Sequence, residues 1–358
     1  MPDSQQLLFT PGPVPIADAT KAAMNDILYH KSEDFQRIHE ELVESLQCIM
    51  QTNGPILIAP GSGTTGAEIS MRGLTPNRSK ILVLVQGRFS QRWAELGELF
   101  GHEITLLKSE WGKFPTCEEL EEILKKNTFH SIWITHTETS TAVTVPLQEY
   151  CSLIRLHSPD SLIIVDGVSS IGIEQCNMIE FGIDCLFTAS QKGLSAPPGA
   201  CIIALSERAK SYALSNNFKA QLQPSMVHDL EHMIMHAETH EAMFTPPVQC
   251  ILALRASCST LASNPNHTTA IRIQSESIRT MLSTMSGCTV SGNALGVTAV
   301  FHENPKLIIQ QMKYHSIIIA PGQDNWKSIA LRIGHMVLYS EKELQQLQQA
   351  FSTICGLK

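Results

Sequence analysis

"LFTASQKGLSAPPG", residues 186–199, runs from the end of an apolar stretch into a single lysine set among small, polar and turn-forming residues. It joins two signals, an apolar run of strand length and chemistry placed where that run stops. Lysines are almost never fully buried without a partner or a task. A solvated surface lysine, the plainer reading, needs no setting of Gly193, Ser195 and a Pro197-Pro198-Gly199 turn. Lys192 is therefore a candidate functional residue at a strand end.

The pattern around Lys192 repeats along the chain. "PILIAP" (55–60), "KILVLVQG" (80–87), "SIWITHT" (131–137), "SLIIVDGV" (161–168), "DCLFTAS" (184–190) and "ACIIALS" (200–206) are short and nearly continuous in apolar residues. Longer amphipathic stretches such as "FSQRWAELGELFG" (89–101) and "PLQEYCSLIRLH" (146–157) lie between them. Such strands alternating with helices predict an α/β fold, with a mostly parallel sheet covered by helices on both faces. After "NPNH" (264–267) come a helical stretch (268–285), three short strand-like runs and a final helical stretch (340–356). The sequence thus divides into an N-terminal segment (1–14), a large domain (15–262) and a small C-terminal α+β domain (263–358).

Composition narrows the partners. The 358 residues are 43% apolar and carry a formal charge of −8 with no basic block, which argues against a nucleic-acid or anionic-membrane surface. No apolar run approaches the roughly 18 residues of a membrane span, and "MPDSQQLLFTPGPVP" has no basic segment followed by an apolar core. A cytoplasmic protein is expected. The ten cysteines form no C-x-x-C pair and read as reduced core residues.

In open α/β sheets, ligands bind beyond the carboxyl ends of the strands. "SLIIVDGVSS" ends in Asp166, "SIWITHTETSTAV" ends in hydroxyls, and "DCLFTAS" stops just before Lys192. "PILIAPGSGTTGAE" adds a strand, a glycine turn and a helix start, with Gly61, Gly63 and Gly66 in G-x-G-x-x-G spacing. Free N–H groups and the helix dipole make such a turn an anion seat. A dinucleotide is disfavoured, because the next strand ends in Gln86 and Gly87 where a ribose-binding acid belongs. A phosphate seat, a strand-tip carboxylate and a recessed lysine on one edge fit pyridoxal 5′-phosphate (PLP). The lysine forms a Schiff base with its aldehyde, the acid keeps its pyridine nitrogen protonated, and the helix N-terminus grips its phosphate.

Seven ordered stretches then carry a resemblance: "LLFTPGP", "GSGTTGAE", "THTETSTAV", "VDGVSSIG", "SQKGLSAPPG", "FTPPV" and "LRIGHM". Together they resemble the class V aminotransferases of PLP fold type I, in the branch of alanine–glyoxylate and serine–glyoxylate aminotransferases. The resemblance implies that Lys192 is the Schiff-base lysine and proton carrier, Asp166 the pyridinium partner and Val168 the residue under the ring. It places Phe89 as the aromatic on the other face, Ser62, Gly63 and Thr64 as the phosphate loop, Gln191 as a further phosphate ligand, and Thr139 near the ring's O3′ or the phosphate. It gives Arg332 the substrate carboxylate, a task that suits a planar guanidinium fork. Thr245 is implied to reach the phosphate of a partner subunit, and hence a homodimer with shared active sites.

Two features depart from that pattern. The family's tyrosine three residues before Thr245 is replaced by Ala242. His228, His232, His236 and His240 recur every four residues, a spacing that can put all four on one helix face. No H-E-x-x-H motif accompanies them, so they are read as a solvated or substrate-facing face and no metal is expected. The expected activity is transfer of an amino group from a small amino acid such as alanine or serine to glyoxylate or pyruvate. Aspartate or 2-aminoethylphosphonate as donor, with Arg88, Arg92, Lys31 or a residue from the partner subunit receiving a second acidic group, remains an alternative. So does a desulfurase or lyase reaction, although those branches place His where Gln191 stands. A non-catalytic binding role is opposed by the retention of Lys192, Asp166 and Arg332.

Overall fold

The computed structural model describes residues 6–215, 225–239 and 242–358. Its strands are β1 (Leu7–Phe9), β2 (Ile56–Gly61), β3 (Lys80–Val85), β4 (Glu103–Lys108), β5 (Ser131–Thr135), β6 (Thr137–Glu138) and β7 (Val143–Thr144). They continue with β8 (Leu162–Asp166), β9 (Cys185–Ala189), β10 (Gly199–Leu205), β11 (Thr289–Ser291), β12 (Val297–Phe301), β13 (Ile317–Pro321) and β14 (Ala330–Gly334). The central sheet has seven strands in the order β2-β10-β9-β8-β5-β3-β4, and only β10 runs against the rest.

Alternate residues of the central strands feed two separate cores. Leu82, Ile132, Ile163 and Leu186 point to one face, where helices Glu33–Met50 and Val248–Ala262 pack. Val83, Trp133, Ile164 and Phe187 point to the other, under helices Gly63–Leu74 and Arg88–Leu99. Burial on both faces is why these strands read as unbroken apolar runs. A second sheet of five strands, β1-β13-β14-β12-β11, packs against helices His267–Ser283, Pro305–Tyr314 and Glu341–Cys355 to form a smaller α+β unit. β1 joins this sheet from the start of the chain, pairing Leu7 with Ile317. The chain then passes Thr10 to Pro13 toward the central sheet, where the Val14 N–H donates to the Gln191 carbonyl at 3.2 Å.

Among the described residues no helix is long and apolar enough to cross a membrane. The ten cysteines are free thiols. The expectation that four histidines share a helix face needs correction. Asp229 caps helix Leu230–Glu238 by accepting from the His232 N–H at 3.1 Å, so the helix begins only after His228. His228 faces Glu68 instead, with Nδ1 and Oε2 3.7 Å apart. His232 and His236 remain on the helix, and His240 lies outside the described residues.

Candidate active site

The carboxyl ends of β2, β3, β5, β8 and β9 fall on one edge of the central sheet. The register fixes this, with Thr135 opposite Asp166, Asp166 opposite Phe187, and Gly61 opposite the first residue of β10, Gly199. A cavity of about 250 Å³ lies along this edge. Ser62, Gly63 and Thr64 form one end of its wall, and Asp166, Gln191 and Lys192 also line it. Phe89, Thr139 and Val168 complete the set of sequence-expected residues that meet there.

Ser62 is the N-cap of helix Gly63–Leu74, so the first N–H groups of that helix have no partner within it and face the cavity end. Gly63 is required by a close approach: a Cβ there would lie 2.4 Å from Cγ2 of Val168. A side chain on Gly63 would push Val168 off the cavity floor.

Asp166, only 4% exposed, is held by two donors. The Trp93 indole N–H donates to Oδ2 and the Val168 N–H to Oδ1, each at 2.9 Å. Burial nevertheless dominates and pushes the Asp166 carboxyl up to about 6; the two donors and Lys192 pull it down, while Glu138 adds to the rise. Lys192 is half-buried and lines the cavity, and its amine donates to the Pro11 carbonyl. Burial, assisted by the positive charge of Arg332, pulls this amine down to about 8, against the opposing pull of Asp166 and Glu138. Gly12 sits beside it with φ +101°, and a Cβ there would lie 2.3 Å from Cδ of Lys192. Glycine alone lets the N-terminal strap cross the lysine.

Arg332 projects from β14 behind Thr139. Its Nη1 donates to the Thr139 carbonyl at 3.0 Å and its Nε to the Pro321 carbonyl at 2.9 Å. The guanidinium thereby ties the smaller sheet to the cavity wall, and its burial lowers its pKa to about 10. Thr245 is exposed and does not line the cavity of its own chain. Of the alternative cations, Lys31 is exposed. Arg88 turns away to Glu95 at 3.2 Å and Asp324 at 3.7 Å. Arg92 lines the cavity.

Gly12, Thr137 and Ser169 line the cavity without having been singled out from the sequence, and Trp93 and Glu138, which shape the site, were missed as well. Trp93 follows Phe89 by four positions on one helix, a spacing that puts both on the same face and was available as a signal. Glu138 is fully buried in the "THTETSTAV" stretch. Its Oε2 accepts from the backbone N–H groups of Phe89 and Ser90 at 3.0 and 2.9 Å and from the Ser90 hydroxyl at 3.0 Å. Its Oε1 accepts from the Ser140 N–H at 3.1 Å and hydroxyl at 2.6 Å. A carboxylate at the N-terminus of helix Arg88–Leu99 complements the dipole and fixes where Phe89 and Trp93 enter the cavity. Gln86 has a structural task as well, donating to the Thr135 carbonyl at 2.6 Å.

Similarity to known proteins agrees with this geometry. An alanine–glyoxylate aminotransferase of Saccharomyces cerevisiae is 29% identical, with 99% of this chain and 98% of the relative covered. An L-aspartate–glyoxylate aminotransferase of Paracoccus denitrificans is 31% identical over 71% of this chain and 64% of its own length. The crystal structure of a ureidoglycine–glyoxylate aminotransferase from Bacillus subtilis has the same fold, with a TM-score of 0.91 at 23% identity over 100% of this chain and 96% of that one. The class-V aminotransferase family matches residues 18–293, so the cavity at the sheet edge belongs to a chain that is a member of that family and an aminotransferase.

Proposed function

We propose that the chain is a PLP-dependent aminotransferase that moves an amino group from a small amino acid, such as alanine or serine, to a 2-oxo acid such as glyoxylate or pyruvate. One observation carries the reading: a desolvated amine, Lys192, and a buried carboxylate, Asp166, share a cavity whose far end is a helix N-terminus. The donor set matches PLP group by group. Ser62, Gly63 and Thr64 suit its phosphate, Asp166 its ring nitrogen, and Val168 and Phe89 the two faces of its ring. Gln191 and Thr139 offer further polar contacts at the rim.

Bound there, PLP supplies an aldehyde that takes up amino groups and a ring that draws electron density from the substrate α-carbon. Asp166 holds a proton at the ring nitrogen. Lys192, with its affinity for protons reduced by burial, would take the proton from the substrate α-carbon and deliver it to the former aldehyde carbon of the cofactor. Arg332 orients the substrate carboxylate from its anchored position on β14. The apolar walls of Val168 and Phe89 exclude water from both faces.

The relatives above, which are named as glyoxylate aminotransferases, support glyoxylate as an acceptor. A homodimer in which Thr245 serves the partner's phosphate suits the exposure of that residue outside its own cavity. A cytoplasmic setting suits ten free thiols. Borohydride treatment of the purified protein should fix the cofactor to the peptide containing residue 192. A panel of amino donors against glyoxylate, pyruvate and 2-oxoglutarate, followed by absorbance, should show turnover with alanine or serine. Label on a different lysine, or turnover confined to dicarboxylic donors, refutes the reading.

A further inference from the structure

Helix Arg88–Leu99 presents three residues to the cavity: Phe89, Arg92 and Trp93. Trp93 is spent on Asp166. Arg92 is different, because it brings a full positive charge into the cavity wall and has no carboxylate to neutralise it among the described residues. Arg88 on the same helix, by contrast, pairs with Glu95 and Asp324. The Arg92 side chain is instead oriented by two neutral groups. Its Nη1 donates to the Thr64 hydroxyl at 3.3 Å, and its guanidinium carbon lies 5.5 Å from the centre of the Phe89 ring.

Thr64 is the second residue of helix Gly63–Leu74, so Arg92 is held at the end of the cavity where that helix directs its free N–H groups. Asp166 and Lys192 mark the rest of the cavity. Around Thr64, the helix dipole, the N–H groups and the guanidinium are all positive or donating, which is the complement of a dianion with several acceptor oxygens. We propose that Arg92 is a ligand of the cofactor's phosphate, supplying the charge that the neutral Ser62-Gly63-Thr64 loop lacks. This rests on the PLP reading of the site. It also removes Arg92 from the cations free to receive a second acidic group of the substrate, since its guanidinium is committed at the phosphate end.

The test compares PLP with pyridoxal, which has the same ring and aldehyde but no phosphate. Cofactor is removed from the wild type, Arg92→Gln and Arg92→Lys, and uptake of each compound is titrated by absorbance with no substrate present. A charged hydrogen bond lost from a phosphate lowers affinity by roughly 10- to 100-fold. Arg92→Gln should lose PLP affinity by about that factor while its pyridoxal affinity stays within about threefold of wild type. Arg92→Lys, which keeps the charge but not the fork, should fall between the two. Inorganic phosphate should compete with PLP uptake by the wild type and compete less with uptake by Arg92→Gln. If Arg92→Gln folds poorly, the Arg92→Lys titration and the wild-type phosphate competition decide the matter. Equal losses for PLP and pyridoxal, or unchanged PLP affinity with a raised KM for dicarboxylic donors, overturns the assignment of Arg92 alone. A wild-type protein that takes up neither compound overturns the PLP reading and this inference with it.

Discussion

Replacing Lys192 by methionine, which is similar in length but uncharged, should change the pH dependence of apoprotein stability in a calculable way. Burial lowers the Lys192 amine from 10.5 to about 8 in the folded chain. The folded-state value lies below the unfolded one, so the lysine's cost is absent above the unfolded value, grows as pH falls from the unfolded value to the folded one, and is fully present below the folded one. Lowering the amine from 10.5 to about 8 corresponds to roughly 3 kcal/mol of destabilisation well below pH 8. Between pH 7 and pH 9.5 the linkage relation recovers about 2 kcal/mol of it. The assay is urea unfolding of both apoproteins at fixed concentration across that range, followed by tryptophan fluorescence. The quantity of interest is the difference between the two curves, in which the titrating groups that do not interact with Lys192 cancel and Asp166, which Lys192 pulls down, contributes only toward the low end of the range. The unpaired Pro11 carbonyl left by methionine shifts that difference by a constant and leaves its slope alone. Wild type should gain about 2 kcal/mol on the variant from pH 7 to pH 9.5. A flat difference refutes the claim that the amine is desolvated, and with it the account of Lys192 as a poised base.

Three further outcomes are expected. Glu138→Gln puts an amide N–H2 against donors that now meet a carboxylate, so it should cost about 1–3 kcal/mol in urea unfolding for each donor left unsatisfied; unchanged stability removes Glu138 as the clamp on helix Arg88–Leu99. Trp93→Phe keeps an aromatic ring at this position beside Phe187 but removes a donor that favours the charged form of Asp166. Its carboxyl should hold a proton to higher pH, and the acid limb of the half-reaction profile should move up by about one unit, whereas an unmoved limb means that the bond does not act on Asp166. Thr245→Val should weaken PLP binding by about 10- to 100-fold. In a mixed dimer with Lys192→Ala, the site that has an intact Lys192 should recover wild-type affinity, and failure to recover places the threonine within its own chain.

The large sheet was legible because its strands are buried on both faces and therefore appear as apolar runs. Six of its seven strands show that pattern. β4 does not: "EITLLK" is an edge strand, partly solvated along its length, and it carries no continuous apolar signal. β1 is three residues long and is a strand only because β13 pairs with it. The site followed the same division. Asp166, Lys192 and the Ser62-Gly63-Thr64 turn stand at strand ends and could be located from one stretch at a time. Glu138 could not, because its role depends on Phe89 and Ser90 roughly fifty positions earlier, brought together only by the adjacency of β3 and β5. The histidine spacing misled for a local reason, since the capping carboxylate of Asp229 interrupts a periodicity that otherwise looks helical.

The stability cost at Lys192 and the chemical use proposed for it have one origin. An amine at the ordinary value of 10.5 leaves only about one molecule in 3,000 unprotonated at pH 7, whereas at about 8 the share is about one in ten. The roughly 300-fold gain in free base arises from the same burial that destabilises the apoprotein. The strap at Gly12, which admits no side chain beside Cδ of Lys192, helps to keep water from the amine, and Arg332 adds its positive charge from the other side. Loosening either contact should therefore move stability and reactivity together and in opposite directions. A Gly12→Ala chain that rearranges the strap to fit its Cβ should let water reach the amine, raising the proton affinity of Lys192 and slowing its reaction with an aldehyde at pH 7. The same change should reduce the pH-dependent stability difference from the methionine variant. If reactivity falls while that difference persists, the strap positions the lysine without desolvating it, and the lowered proton affinity must come from the sheet edge and Arg332.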